Sequence, residues 1–147
     1  MKQTGIEKVS IRLKSEIDGN TTEYCYSGEY QLKDGSHCIA YIDYTGNALT
    51  KVGVEANEKM MLLHRFGYVT SDMLFAPEAE TIVKYDASSL KSGFILRTHV
   101  YKITEEEADL TIRVAYSLID GSSEPEIAGK QEIIISFMEG QENEEDI

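Results

Sequence analysis

Apolar and polar residues alternate with a period of two along most of this chain, and a helical period is scarcely visible. Val9, Ile11 and Leu13 alternate with Ser10, Arg12 and Lys14, then Asp18-Gly19-Asn20 offers a turn. A second segment runs from about Thr21 to Lys33, and Ser27-Gly28 in its middle suggests a bulge or a bend. Asp34-Gly35 turns into His37 to Tyr44, Thr45-Gly46-Asn47 into Leu49 to Ala56, and Asn57-Glu58 into Met60 to Phe66. Gly67 to Phe75 is a less regular strand candidate, followed by a loop at Pro77. Thr81 to Asp86 reads as a short strand and Ala87 to Ser92 as a loop. After Glu105-Glu106-Glu107, the inward set Ala108, Leu110, Ile112, Val114, Tyr116 and Leu118 is the clearest one-sided strand in the chain. Asp120 to Glu126 leads to a last strand carrying Ile127, Ile133, Ile135 and Phe137.

Successive hairpins with short polar turns predict an all-β domain, a single up-and-down antiparallel β-barrel of about eight to ten strands. A barrel is favoured over a sandwich because closure removes the exposed edges that so much strand would present. One stretch, "GFILRTHVYKI" at residues 93–103, has two candidate insides. Either Phe94, Leu96, Thr98 and Val100 face the core, or Ile95, Arg97, His99, Tyr101 and Ile103 do. The length of the following turn leaves the choice open, and burial cost favours the first set, with Arg97 and His99 toward water.

From Val9 to Phe137 the chain resembles the YwiB-like family of bacterial proteins, a domain of unknown function with a calycin-like, lipocalin-type β-barrel. The resemblance is carried by "SGEYQLKDGSHCIAYIDY", "LLHRFG", "SDMLF", "YDASSLKSGFILRTHVYKI" and "RVAYSLI", in that order. The loop from Tyr85 to Gly93 departs from the family's shorter Tyr-x-Thr-Pro-Tyr-Gly turn. The resemblance implies a fold and a bacterial, cytoplasmic setting, with no established activity or catalytic residues.

Length and composition then narrow the picture. With 147 residues the chain is expected to form one domain, a barrel over 1–138 followed by an acidic, disordered tail over 139–147. The net charge of −12 disfavours nucleic acid and anionic membranes as partners. No apolar run of signal-peptide or membrane-spanning length is present, so a cytoplasmic protein is expected and the Asn20-Thr21-Thr22 sequon is read as accidental. The Asp34-Gly35 hairpin sets Cys38 opposite Gln31 and Cys25 roughly 20 Å further along. Both cysteines are therefore expected to be reduced, small, buried side chains.

Catalytic chemistry finds little support. His37, His64 and His99 lack metal-ligand spacing, there is no Cys-x-x-Cys, and no metal or cofactor is expected. No serine stands in a nucleophile elbow, and Cys38 lacks an electropositive niche, since alternation puts His37 on the opposite face. The chain has nine tyrosines, four phenylalanines and no tryptophan, with Tyr24, Tyr26, Tyr30, Tyr41 and Tyr44 in one hairpin. Tyrosines suit a mixed pocket, and equally a solvent-facing strand. Arg65 sits in a strand apolar on both faces, so it either enters the barrel and needs an anion, or snorkels outward from the strand end.

These observations point to a non-enzymatic protein that binds a small apolar or amphipathic ligand in or at the mouth of the barrel. Arg65, Arg97 and His99 are the candidates for contacting an acidic or polar group, lined by Tyr41, Tyr85 and Tyr116. The alternatives are a protein-interaction module with a filled barrel, and an enzyme whose residues converge only in three dimensions.

Overall fold

The computed structural model describes residues 5–44, 48–77, 79–87, 90–119 and 127–137, giving the backbone alone at 69, 84–87 and 90–93. The turn expected at 45–47, the loop at 120–126 and the tail at 139–147 lie outside the described residues. Ten strands are present: β1 (Glu7–Ile17), β2 (Asn20–Lys33), β3 (Ser36–Asp43), β4 (Thr50–Ala56), β5 (Met61–Gly67), β6 (Val69–Phe75), β7 (Glu80–Ala87), β8 (Leu90–Glu105), β9 (Asp109–Ile119) and β10 (Ile127–Phe137). Each pairs antiparallel with the next, and β1 pairs with β10, closing the barrel. Among the described residues no helix is long and apolar enough to cross a membrane.

The turns follow from local chemistry. Asp18-Gly19 and Asp34-Gly35 all have positive φ, the geometry that lets a two-residue turn match the twist of its flanking strands. Gly28 allows a close approach: a Cβ there would lie 2.5 Å from the Ala40 carbonyl oxygen and 2.6 Å from Ile11 Cδ1. No extra residue is inserted between β1 and β2 at this point, so Gly28 marks tight packing and not a bulge there.

Inward alternation builds the core. Val9 and Ile11, Tyr30 and Leu32, Ile39 and Tyr41, Val52 and Val54, Met61 and Leu63, Met73 and Phe75, Leu110, Ile112, Val114 and Tyr116, and Ile133 and Ile135 are all buried. Burying each such side chain contributes about 1.5–3 kcal/mol before entropy costs, so this continuous cluster is the main source of cohesion.

Two expectations are corrected. The described residues of the segment 87–92 are strand, with β7 reaching Ala87 and β8 starting at Leu90. Cys25 and Cys38 are free, as expected, but they lie on the outer face; Cys25 is exposed and Cys38 half-buried. Period-two alternation from the buried Tyr30 and His37 puts both cysteines outside, so polar-face position outweighed the usual preference of cysteine for burial.

The two candidate insides of residues 93–103 are each right for half of the strand. Phe94, Leu96 and Thr98 point inward, a bulge falls between Thr98 and Val100, and beyond it Tyr101 and Ile103 point inward. A bulge adds one residue to one strand and so exchanges its faces. Its position has a local cause: β7 pairs with β8 only as far as Arg97. Past that point the Thr98 amide donates to Ala79 O at 3.2 Å and the Ala76 amide to Thr98 Oγ1 at 3.3 Å, which turns β8 over the β6/β7 connection.

Candidate functional site

The barrel has two dissimilar ends. One carries the turns at Asp34-Gly35, Asn57–Met60 and Ala76–Ala79, and it is tied across. The Tyr101 hydroxyl lies 2.5 Å from the Asn57 carbonyl oxygen and 3.0 Å from that of Met60. His37, buried at the start of β3, meets Tyr30 Oη through Nδ1 at 2.7 Å and Glu105 Oε1 through Nε2 at 2.8 Å. β3 and β8 are not neighbours in the barrel, so this Tyr30–His37–Glu105 chain is a cross-link over the opening. An open cleft of about 720 Å³ lies beside it, lined by Leu32, His37, Asn57, Lys59, Ile103 and Glu105 among others. Burial, then the Glu105 and Glu7 charges, push the Tyr30 phenol up to about 12. It is a hydrogen-bond donor and a poor nucleophile.

The other end carries the Asp18-Gly19 turn and the β5/β6 connection at Gly67. Its inward positions are largely polar: Tyr26 on β2, Tyr41 and Asp43 on β3, Thr50 on β4, Arg65 on β5 and Ser71 on β6. Arg65 extends the inward series Met61, Leu63, Arg65, and it is half-buried. Its Nη1 is 3.8 Å from Met73 Sδ, a weak acceptor. Among the described residues no carboxylate lies within ion-pair distance of it. Ser71, its direct cross-strand neighbour, is 3% exposed, and its Oγ has no hydrogen-bond partner. Gln131 Oε1, inward on β10, is likewise buried without a partner.

Tyrosine rings face this end. Tyr26 and Tyr41 stack at 4.5 Å, and Tyr26 hydrogen-bonds Asp43. Tyr116 reaches in from β9, its ring edge-on to Phe75 at 5.3 Å. It passes over Gly129, where a Cβ would lie 2.4 Å from the ring. Burial pushes the Tyr41 phenol up to about 12 and raises that of Tyr116, and the Arg65 charge lowers both in part. Arg65, Tyr41 and Tyr116 thus share one electrostatic neighbourhood.

The remaining sequence candidates stand elsewhere. Arg97 faces outward, with Nη2 and Nε at 2.6 and 2.7 Å from Glu80 Oε2. His99 is the bulged residue, exposed, with Nε2 2.7 Å from Ser117 Oγ. Tyr85 pairs along the backbone with Ser71, and its side chain lies outside the described residues. Sequence reading missed Ser71, because its inward position depends on the β5/β6 register and a lone serine carries no pattern of its own.

Other reactive groups are already engaged. His64 bonds Asp72 on the exposed outer face. Burial, then Glu55, raises the Cys38 thiol, which disfavours the thiolate. Ser117 is 5% exposed, and its Oγ is engaged by His99. Among the described residues no group of three or more metal-ligating side chains occurs.

A family model described as Domain of unknown function (DUF1934) matches residues 6–135. The chain is also similar to a solved structure, the crystal structure of ywiB protein from Bacillus subtilis, at 23% sequence identity and a TM-score of 0.80, covering 92% of this chain and 94% of that one. Likeness at that identity carries the fold alone. No curated protein matches the chain.

Proposed function

The chain belongs to the DUF1934 family, and from that premise and the character of its barrel interior we propose that the protein binds a small amphipathic ligand at the Gly19 end of the barrel, without transforming it. The observation that carries this reading is the buried Ser71 hydroxyl, which has no hydrogen-bond partner and stands beside Arg65 in the polar lining of that end. A buried hydroxyl left unbonded costs roughly 1–3 kcal/mol, a cost that a bound polar group offsets. Phe75, Leu63, Leu96, Leu110 and Ile112 are each at most 2% exposed and fill the core beyond. The ligand is therefore compact and sits at the mouth, and a long chain threaded through the barrel is not expected. The pairings of His37, His64 and His99 support binding without chemistry.

A titration with 1-anilinonaphthalene-8-sulfonate tests this. The full-length protein is expected to give saturable, one-to-one enhancement of dye fluorescence. Ser71→Phe, which puts a ring beside Arg65, should abolish it while a two-state thermal transition persists. Ser71→Val serves as the milder variant if Phe prevents folding. Equal dye binding by wild type and a folded Ser71 variant, or no saturable binding by wild type, contradicts the reading.

A second reading, a protein-interaction module, is favoured by outward Leu62, Ile82 and Ile95, which are 38, 77 and 36% exposed on β5, β7 and β8. It predicts a partner lost on Ile82→Glu and retained on Arg65→Met.

A further inference from the structure

Resting on that reading of the barrel mouth, we propose that the group recognised there is an oxyanion, held by the Arg65 guanidinium, with the Tyr41 and Tyr116 hydroxyls as further donors and Ser71 Oγ beside it. A guanidinium presents five N–H donors and does not lose its charge in proteins. Here the described partner is one thioether, at 3.8 Å. Asp43, inward on β3 at this end, accepts from the Tyr26 hydroxyl. With no carboxylate among the described residues in ion-pair distance, this half-buried cation gains from an anionic guest.

What surrounds Arg65 has the same sign of preference. The Tyr41 and Tyr116 hydroxyls remain protonated through neutral pH, so both can donate. The Ser71 oxygen, buried and unbonded, adds a hydroxyl that can turn to a guest's oxygen. Hydroxyl donors in the field of a fixed positive charge favour carboxylate, sulfonate or phosphate over alcohol or amine. The stacked Tyr26 and Tyr41 rings, 4.5 Å apart, and the Tyr116 ring offer apolar walls for a short or aromatic body. Arg97 and His99 have no part in it, since they face outward and bond Glu80 and Ser117.

The test is calorimetric titration of the full-length protein with three oxyanions of different body, benzoate, benzenesulfonate and octanoate, each beside a neutral counterpart: benzyl alcohol, benzenesulfonamide and octanol. At least one oxyanion is expected to bind about tenfold or more tightly than its counterpart, the value of one charge-assisted hydrogen bond. Arg65→Met should reduce that oxyanion to the level of the neutral molecule without changing the neutral molecule's affinity. Arg65→Lys, which keeps the charge and loses the fork, should fall between. Equal binding of charged and neutral members, unaffected by Arg65→Met, overturns the proposal and leaves ligand binding standing. No saturable binding by any of the six overturns both. A matched thermal transition for each variant shows that the loss is local.

Discussion

Gly129 and Tyr116 show how a single position shapes the interior. The Tyr116 ring occupies the space that any side chain at 129 would need, at 2.4 Å from an ideal Cβ. In a strand interior glycine is normally the weaker choice, because it costs more backbone entropy than alanine. Here the order inverts, and Gly129→Ala is expected to destabilise the protein by about 1–3 kcal/mol, as overpacking does. Urea unfolding checks this, and in the double variant with Tyr116→Ala the added methyl should cost much less. An unchanged cost would show that the ring is not what excludes it. The inward setting of Tyr116 was legible, because the alternation of β9 is uninterrupted from Leu110 to Leu118. Arg65 was only half legible: both faces of "LLHRFG" are apolar, and only neighbouring strands decide which one the guanidinium shares. The cysteines misled for a related reason, since residue type spoke for burial and strand phase for exposure, and phase prevailed.

At the scale of an element, β8 is the instructive case. Its bulge makes one continuous strand inward-facing at even positions up to Thr98 and at odd positions from Tyr101. Nothing in "GFILRTHVYKI" announces the extra residue, because the bulge arises where β7 stops pairing and the β6/β7 connection takes over. Deleting His99 removes the inserted residue and forces half of β8 to turn its apolar side chains outward. The expected result is loss of the cooperative transition, a cost above about 4 kcal/mol. His99→Ala keeps the bulge and should stay within about 1 kcal/mol, as should Arg97→Ala, whose ion pair with Glu80 is exposed. Chemical denaturation of the three variants separates these outcomes. Comparable losses in all three would mean that the side chains, and not the inserted residue, hold β8 in place.

The whole molecule is a barrel closed by β1 against β10, with one end tied across and a polar lining at the other. Strand count and antiparallel meander were legible in the turns and the alternation. Closure was legible too, as the way so much strand avoids exposed edges, but the different ends were not, because they depend on contacts between strands that are not neighbours. Buried phenols distribute a pH sensitivity over both ends. Tyr30, Tyr41 and Tyr101 are held near 12 chiefly by burial, against an ordinary value of 10.0. The folded state then binds protons that the unfolded state releases first, so stability is intact below about pH 10 and falls as pH rises toward 12. Absorbance titration at alkaline pH should find a set of phenols ionising late and together with unfolding. Ionisation of every tyrosine near 10 with the fold intact would contradict that assignment.

On this proposal the polar mouth is a binding site organised by Arg65. Native mass spectrometry of the full-length protein and of Arg65→Met, each equilibrated with the same oxyanions, tests it most directly. One discrete adduct per barrel is expected on the wild type, lost on denaturation and missing from the variant. Two bare masses, or two equally loaded ones, would contradict it.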